Sequence, residues 1–516
     1  MTTVALIAIP LVGGIIAWIA GRAGRNAARW VALVSMFAQL ALVVSLWAFL
    51  FGPEGYVSGG QWLDEVRVPW IPQLGVSFHL GIDGLSLLLV VLTAFLGVAA
   101  VIASWSEVTE RVGFFHFNLL WVLAGITGVF LALDMLLFYF FWEIMLVPSY
   151  FLFLWGYERR LYAGVKFFIF TLVSGLLMLV AIIGLAVAHQ QATGTLTFDY
   201  MELLRTPLAG PIATWLMLGF FIGFAVKLPV FPFHSWQPDA YVQSPTAATV
   251  VLAGVMAKTA GYGFLRFVVP LFPQAALAFA PVAMTLAVIG ILYGAIVAFG
   301  QTDFKRLIAY SSLGHMGFVL LGVFAWNELA LQGAVMEMVA HGVSTGALFI
   351  LLGWIIARTG SRDMSQMGGL WAVMPRLSGV TLFFVLALVG LPGLGNFVAE
   401  FLVLVGTFQV SVLAAAVASL GIVLSAVYGL WMVQRTFQGS SARPDLRLPD
   451  LSMREGVVMA ALVVAIVWLG LFPQFVIGTA KHGLDNLRRS SGSAEIVAGR
   501  IAETGVQNDL FGGRAE

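Results

Sequence analysis

Residues 138–148 read FYFFWEIMLVP and contain one ionisable side chain, Glu143, in an almost wholly apolar run. Lys227, Lys258 and Glu400 lie within other long apolar stretches. A charged side chain at the centre of a bilayer costs about 3 kcal/mol by insertion measurements. Four such groups, two acidic and two basic, therefore predict a path for charge through a membrane, and proton movement is its simplest form.

The amino-acid composition also indicates a protein that is embedded in a membrane. Of the 516 residues, 60% are hydrophobic and 10% are charged, whereas soluble domains carry about 25% charged residues. The net charge of +1 argues against a nucleic-acid partner. Without cysteine, the chain offers no thiolate ligand for an iron–sulfur cluster and no disulfide. The N-terminal apolar segment lacks a basic leading region, so we interpret it as a first spanning helix and not as a signal peptide.

The apolar segments predict an all-α integral membrane protein. A helix needs about 20 residues to cross the hydrocarbon layer, and windows of that length predict about fourteen spans. The predicted spans start near residues 3, 28, 79, 113, 134, 163, 214, 244, 277, 305, 331, 378, 412 and 453.

Basic residues concentrate in alternate loops, and such loops face the cytoplasm. We therefore expect both termini on the periplasmic side, and the regular alternation favours an even number of spans. The tail from Lys481 runs against this pattern, but long terminal segments have less weight in the rule. The basic residues of these loops are Arg22, Arg25, Arg29, Arg159, Arg160, Lys166, Lys305, Arg306, Arg358, Arg362, Arg376, Arg435, Arg443, Arg447 and Arg454.

Two similar tetrapeptides predict an internal repeat. VKLP at 226–229 and VGLP at 389–392 each interrupt an apolar span. Proline and glycine break helices, and breaks at membrane depth occur where they line a cavity. The tetrapeptides fall five predicted spans apart, so the repeat has inverted topology, as in transporters. The predicted divisions are residues 1–112 (three helices), 113–270 and 277–435 (the repeats), 436–478 (a loop and the last helix) and 479–516 (the tail).

Each buried charge admits a functional and a structural interpretation. Glu143 is too short to reach the membrane surface, so we expect a nearby cation to set its proton affinity. Lys227 precedes the first break and is the predicted partner; the alternative is a lysine that reaches a helix end. Lys258, on a helix of small residues, is a relay or a neutralising charge. Glu400 follows the second break and is a terminal proton donor or acceptor, or a structural acid.

Further polar residues accompany these four. His315 and His341 lie within spans, where a histidine is a proton relay or a satisfied core group. Glu337 lies one turn before His341 on the same helix face. No spacing in the sequence resembles a zinc or haem site.

Other candidates lie near span ends. His234 and Asp239 order a loop or form a proton inlet on the cytoplasmic side. Asp134, at the tight join before the fifth span, caps a helix or pairs with a group outside this chain. For the charged residues at 303–306, we expect a solvated ion-pair network.

Several motifs together resemble a known family, the antiporter-like membrane subunits of respiratory complex I, over nearly the whole chain. The motifs are highly specific. They are Phe141-Trp142-Glu143, the stretch VKLPVFPFHSW at 226–236, Pro238-Asp239-Ala240, Ser244-Pro245-Thr246, QTDFKRLIAYSS at 301–312, and Leu391-Pro392-Gly393. In this family the series of buried charges ends in glutamate in one member and in lysine in its sisters; here the matching residue is Glu400.

The resemblance implies a function. NADH, FMN, iron–sulfur clusters and quinone would be bound by other subunits, with no cofactor in this chain, which would translocate protons in a bacterial inner membrane. The sister chains L and N would be its neighbours. The implied roles are a switching pair (Glu143 and Lys227), a central relay (Lys258), an exit-side group (Glu400) and an axis between them (His315 and His341).

Two alternatives come from other classes. A cation/proton antiporter subunit of the multisubunit sodium–proton type shares the fold and most motifs, but the position of Glu400 resembles lysine there. A purely structural membrane scaffold is disfavoured by four buried charges.

Overall fold

The computed structural model describes residues 1–50, 62–208, 210–440 and 448–490. In these ranges, thirteen helical segments are long and apolar enough to cross a membrane. Two of them, Met135–Trp155 and Thr246–Leu271, each consist of several shorter helices. Two shorter apolar helices, Pro375–Leu388 and Gly395–Phe408, stand on either side of a break and together account for one further crossing. The predicted all-helical membrane architecture of about fourteen spans is confirmed.

The helices follow one another along the chain with short connections. The first three are α1 (Thr2–Ala20), α2 (Arg25–Leu50) and α3 (Gly84–Ala103). The next group is α4 (Val112–Leu131), α5 (Met135–Ile144), α6 (Leu146–Leu152), α7 (Arg160–Thr193), α8 (Tyr200–Leu203), α9 (Gly210–Lys227), α10 (Trp236–Gln243), α11 (Thr246–Val251), α12 (Ala257–Gly263) and α13 (Val269–Leu271). Then come α14 (Pro273–Phe299), α15 (Phe304–Ala325), α16 (Glu328–Thr359), α17 (Leu370–Val373), α18 (Pro375–Leu388), α19 (Gly395–Phe408), α20 (Val412–Phe437), α21 (Met453–Leu471) and α22 (Gln474–Ser490).

A β-hairpin precedes α3, where the sequence predicted the start of the third span. Strands β1 (Asp64–Ile71) and β2 (Val76–Ile82) pair antiparallel, and Gly75 makes the turn between them with a φ of 66°. The predicted span start near residue 79 is wrong, because α3 begins at Gly84 behind its cap, Asp83. Apolar residues alternate through β2, a period of two that indicates a strand. A hydropathy window of about 20 residues averages over this period and therefore does not detect the strand.

Contacts between loops define a basic face of the bundle. Lys166 and Arg306 both pair with Asp239, at 2.7 Å and 3.2 Å, and Arg358 pairs with Glu455 at 2.7 Å. These contacts bring together basic loops that are distant in the sequence, as the alternation of loop charges predicted. Two basic residues of that prediction, Arg443 and Arg447, lie outside the described residues.

The opposite face carries both ends of the described chain. The amino group of Met1 lies 3.1 Å from Asp64 Oδ1 in the hairpin. The Trp47 indole, at the end of α2, donates to Thr479 Oγ1 in α22 at 2.9 Å. Two ends on one face require an even number of crossings. The sequence predicted a tail from residue 479, but the first residues of that tail belong to α22, a helix with one apolar face. Residues 491–516 are not among the described residues.

Two spans form the centre of the molecule. The windows of highest hydropathy in residues 246–271 and 328–359 are wholly buried, whereas only a third or so is buried in α1, α2 and α21. The outer helices therefore shield the central spans from lipid, and polar side chains on the central spans face protein.

One loop arrangement occurs twice, on opposite faces. Asp134, before α5, forms an isolated β-bridge with Asp199, which follows α7. Asp303, before α15, forms the same bridge with Asp363, which follows α16. Each of the four aspartates also accepts backbone N–H groups at the start of a helical segment.

Candidate functional site

Both predicted helix breaks are present. Helix α9 ends at Lys227, and the chain is irregular until α10. Helix α18 ends at Leu388 and α19 begins at Gly395. In this second break Gly390 and Gly393 have φ values of 76° and 96°, a region that favours glycine. The breaks leave backbone groups without helical partners close to ionisable side chains.

Lys258 lies at the centre of the bundle on α12, fully buried. Segments of π-helix, Leu252–Met256 and Phe264–Val268, stand on both sides of α12; such bulges are frequent at functional sites. The Lys258 ammonium donates to the Ala253 carbonyl oxygen and lies 2.7 Å from His341 Nδ1 on α16. The lysine and the histidine are thus within proton-transfer distance.

A second cluster continues from His341. The rings of His341 and His315 have centroids 5.3 Å apart. His315 Nδ1 lies 3.2 Å from Glu337 Oε1 and 3.1 Å from Glu400 Oε1. Helices α12, α15, α16 and α19 therefore bring five ionisable side chains into one row, the polar row: Lys258, His341, His315, Glu337 and Glu400.

Several atoms of the polar row have no hydrogen-bond partner among the described residues. They include the Nε2 atoms of His315 and His341 and the Oε2 atoms of Glu337 and Glu400. Buried polar groups are almost always paired, and each exception requires an explanation, such as a chemical role. These atoms retain unused capacity to accept or donate a proton.

The same cluster has the ligand types of a metal site. One atom each of His315, Glu337 and Glu400 lies within 4.8 Å of the others. The residues are far apart in the sequence, which is why their spacing gave no such signal. The neighbouring ammonium of Lys258 disfavours a divalent cation here, because its positive charge repels one.

Glu143 and Lys227 form a separate pair. The Lys227 ammonium lies 3.9 Å from the centre of the Trp142 ring, a cation–π contact, and is close enough to Glu143 for their charges to interact. Glu143 is half-buried, beside the exposed side chains of Phe140 and Val147. Glu143 therefore lies just inside the apolar surface of the chain, with its Oε1 atom buried. Its sequence position had indicated a deeper site.

The predicted series is not continuous. No direct contact joins Lys227 to Lys258 among the described residues. Lys227 interacts with the charge of Glu143, and Lys258 interacts with the charge of Glu337. The structure thus brings together two parts of the series, the pair and the polar row. Glu337, predicted only as an accessory residue, belongs to the row.

Asp134 is a helix cap. Its Oδ1 accepts the N–H groups of Leu136 and Leu137, and its Oδ2 accepts the N–H of Ser77 at 2.9 Å. Burial raises the pKa of Asp134 and outweighs the opposing effect of these hydrogen bonds. Of the two alternatives, capping is the one that its contacts within this chain support.

His234 and Asp239 have structural contacts. The His234 ring stacks on Phe231 and meets the edge of Tyr293, with centroids 5.6 Å and 5.0 Å apart. Asp239 pairs with two basic side chains of the basic face, as described above. These contacts support the loop-ordering alternative for both residues.

Two buried cations were missed by the sequence analysis. Arg266 pairs with Asp83 and donates to Tyr262; it lies in an apolar run two turns after Lys258, so the reasoning applied to Lys258 would have found it. Lys305 is fully buried, so the expected solvated network is wrong at this residue. Its ammonium donates to the Ser244 carbonyl oxygen at 2.8 Å, which replaces water as a partner.

Broken helices around a buried row of lysine, histidine and glutamate define a class, the antiporter-like membrane proteins. A family model described as NADH:quinone oxidoreductase/Mrp antiporter, transmembrane, matches residues 132–425. This chain belongs to that family.

Curated relatives cover almost the full chain. A protein of Pseudomonas aeruginosa named NADH-quinone oxidoreductase subunit M is 50% identical over 507 residues, 96% of this chain and 99% of the relative. The protein of the same name from Escherichia coli K12 is 51% identical over 497 residues, 94% and 97% of the two chains.

Solved structures share the fold. A chain of respiratory complex I from Thermus thermophilus has a TM-score of 0.83 and 32% identity, and the match covers 94% of this chain and 99% of that one. A chain of the Mrp complex from a Dietzia species has a TM-score of 0.82 and covers 96% and 99%. Its identity of 22% establishes a likeness of fold alone.

Proposed function

We propose that this chain translocates protons as subunit M of a bacterial NADH–quinone oxidoreductase. NADH oxidation and quinone reduction take place in other subunits, which also hold the FMN, iron–sulfur clusters and quinone. The single observation that carries the proposal is the polar row. Its five buried ionisable groups are spatial neighbours on four different helices. Lys258 Nζ lies 2.7 Å from His341 Nδ1, and His315 Nδ1 lies 3.1 Å from Glu400 Oε1.

The row can pass a proton by short steps. Lys258 donates a proton to His341 Nδ1, and a proton leaves the other nitrogen of that ring toward His315. His315 then delivers a proton to Glu337 or Glu400, both within 3.2 Å of its Nδ1. An imidazole accepts a proton at one nitrogen and releases one from the other, so it suits a relay between a base and an acid.

The Glu143–Lys227 pair supplies the switch. When the Lys227 ammonium is close, the negative charge of Glu143 is stabilised; when it moves away, Glu143 takes up a proton. The helix break after Lys227 allows this ammonium to turn toward Lys258. The gap between Lys227 and Lys258 then acts as a gate, because protons cross it only when the lysine has moved.

The two halves of the site belong to inverted repeats of five helices, residues 113–270 and 277–435. The paired aspartate bridges on opposite faces support this division, since an inverted repeat places the same loop arrangement on both sides of a membrane. The basic face lies in the cytoplasm by the charge rule, with both termini in the periplasm. Chains L and N are the expected neighbours.

An antiporter subunit of the Mrp type is the alternative. It rests on a likeness of fold alone, whereas subunit M relatives are about half identical along the whole chain. Glu400, in contact with His315, also resembles the subunit M pattern and not the lysine of antiporter chains.

Glu143→Gln tests the proposal in membranes that contain the assembled complex. We expect near-complete loss of both NADH–quinone turnover and proton uptake, since tight coupling stalls electron transfer when the switch cannot charge. Glu202→Gln, an exposed acid on the opposite face, is the matched control and should retain both activities. Normal NADH-driven proton uptake in the Glu143→Gln complex would refute Glu143 as the switch.

A further inference from the structure

A basic cavity lies at one end of the first helices, away from the polar row. Its volume is about 640 Å³, and it opens between the end of α1 and the starts of α2 and α4. Arg22, Arg25 and Arg111 line it, and all three are exposed. This end of the bundle belongs to the basic face, where α1 gives way to α2.

The three arginines are not neutralised within the described part of the chain. None of them forms an ion pair or a side-chain hydrogen bond with a described residue. Glu110 is the one carboxylate among the lining residues, so the cavity has an excess of positive charge. The charge of Arg29 lies close to Arg25 as well. Arginines held together without a carboxylate partner repel each other unless an anion joins them.

Backbone groups add to the attraction for an anion. Arg111 precedes α4 with a φ of 47°, and no side chain caps the first N–H groups of this helix. Uncapped N–H groups at a helix start attract anions. A Cβ atom on Gly21 would lie 2.8 Å from the Cα atom of Gly113. The ends of α1 and α4 are therefore so close that backbone atoms form part of the cavity wall.

The cavity continues into an aromatic, lipid-facing surface. Trp18 and Phe114 line it, with ring centroids 5.8 Å apart. Phe117 packs against Trp18 at 5.2 Å and against Trp121 at 4.7 Å. Nearly half of the Trp18 side chain is exposed. A basic site at the end of a spanning helix thus joins an apolar wall that runs along that helix.

We propose that this cavity binds an anionic phospholipid. The phosphate contacts Arg22, Arg25 and Arg111 and the N–H groups at the start of α4, and the acyl chains lie along the aromatic wall. Basic pockets between spanning helices bind such headgroups. A soluble phosphate would use the arginines and leave the aromatic wall without a role, so the combination favours an amphiphile.

The test uses the assembled complex in nanodiscs of phosphatidylcholine that contain a small fraction of a photoactivatable phosphatidylglycerol. After illumination, mass spectrometry locates the labelled peptides. We expect labelling of the peptides around Trp18 and Phe114, reduced by excess phosphatidylglycerol and unchanged by millimolar inorganic phosphate. For each arginine removed we expect about fivefold weaker binding. The triple variant combines Arg22→Gln, Arg25→Gln and Arg111→Asn, because asparagine tolerates the positive φ of residue 111.

Two further variants keep the test decisive. Arg205→Gln removes an exposed arginine from the opposite face and should leave labelling unchanged. Glu110→Gln removes the carboxylate from the cavity and should increase labelling, even if the triple variant does not assemble. Competition by inorganic phosphate would overturn the proposal in favour of a soluble anion. Equal labelling in the Glu110→Gln complex and the unaltered complex would overturn it as well. So would the absence of labelling at these peptides, which would indicate that another subunit covers the cavity.

Discussion

Two glycines lie against the carboxylates of Glu143 and Glu400. A Cβ atom on Gly175, in α7, would collide with Glu143 Oε1, and one on Gly390 would lie 2.8 Å from Glu400 Oε2. Gly390 also has a positive φ, whereas Gly175 lies in regular helix. The absence of a side chain at Gly175 therefore leaves room for the Glu143 carboxylate, and the backbone conformation does not require glycine there.

Gly175→Ala should reduce NADH-driven proton uptake severalfold while the complex remains assembled. Alanine is favoured over glycine in a helix by about 1 kcal/mol, so the fold gains local stability while the Glu143 carboxylate is displaced. Gly290→Ala is the matched control, because a Cβ atom there meets nothing within 4 Å. Proton uptake and turnover in membrane vesicles report the difference. Equal rates in the two variants would contradict the role of Gly175.

Substitutions of Asp134 distinguish between its two possible roles, a helix cap and a proton carrier. Asparagine caps helices as well as aspartate does, and alanine does not. We expect Asp134→Asn to retain turnover and the cap but to lose about 1 kcal/mol of stability, because its amide nitrogen cannot accept the Ser77 N–H that Oδ2 accepts. Asp134→Ala should cost about 1 kcal/mol more through loss of the cap. Thermal unfolding of the purified complex measures both effects. Loss of proton uptake in a stable Asp134→Asn complex would show that the carboxylate itself takes part in transfer.

At the scale of elements, one histidine adds to the contacts that Asp64 and Ser77 make between the β-hairpin and the bundle. His79 Nδ1 lies 2.7 Å from Asp199 Oδ2, and His79 Nε2 lies 2.7 Å from Glu65 Oε1. Burial lowers the pKa of His79, but the two carboxylates outweigh burial and raise it above its ordinary value. The protonated ring thus ties β2 both to β1 and to the loop after α7.

This pKa predicts how hairpin stability depends on pH. A group whose pKa is raised by folding stabilises the folded state fully below its unfolded pKa, near 6.5 for histidine. The stabilisation is lost as pH rises through the higher folded pKa. Amide hydrogen exchange in the hairpin of the assembled complex should therefore quicken, beyond the intrinsic chemical effect, as the pH rises above about 6.5. A His79→Gln complex should lack this extra dependence; the same dependence in both would contradict the prediction.

The helix breaks and the hairpin show what a sequence reveals about elements. Proline and glycine act on the backbone locally, so the breaks near Pro229 and Pro392 were predictable from two tetrapeptides. The hairpin was not, because its signal is a period of two within a segment whose average hydropathy resembles that of a span. The π-helical segments beside Lys258 were not predicted, because nothing in the local sequence pattern indicated them.

At the scale of the whole molecule, we predict that the basic face lies in the cytoplasm and the opposite face in the periplasm. The chain has no cysteine, so single cysteines can be labelled without background. Arg205→Cys, on the opposite face, should react with a membrane-impermeant thiol reagent in intact spheroplasts. Arg160→Cys, on the basic face, should react only after the membrane is opened. The reverse result would place the termini in the cytoplasm.

The sequence by itself determined the membrane class, the number of spans, both helix breaks and the family, because hydropathy, loop charge and short motifs are local properties. It also identified every member of the polar row as a candidate. Only the tertiary structure decided which candidates touch. Glu337 joins the row and Asp134 caps a helix, while Glu143 is half-buried near the apolar surface and Lys227 does not contact Lys258. These distinctions depend on distances between helices remote in the chain, and packing sets those distances.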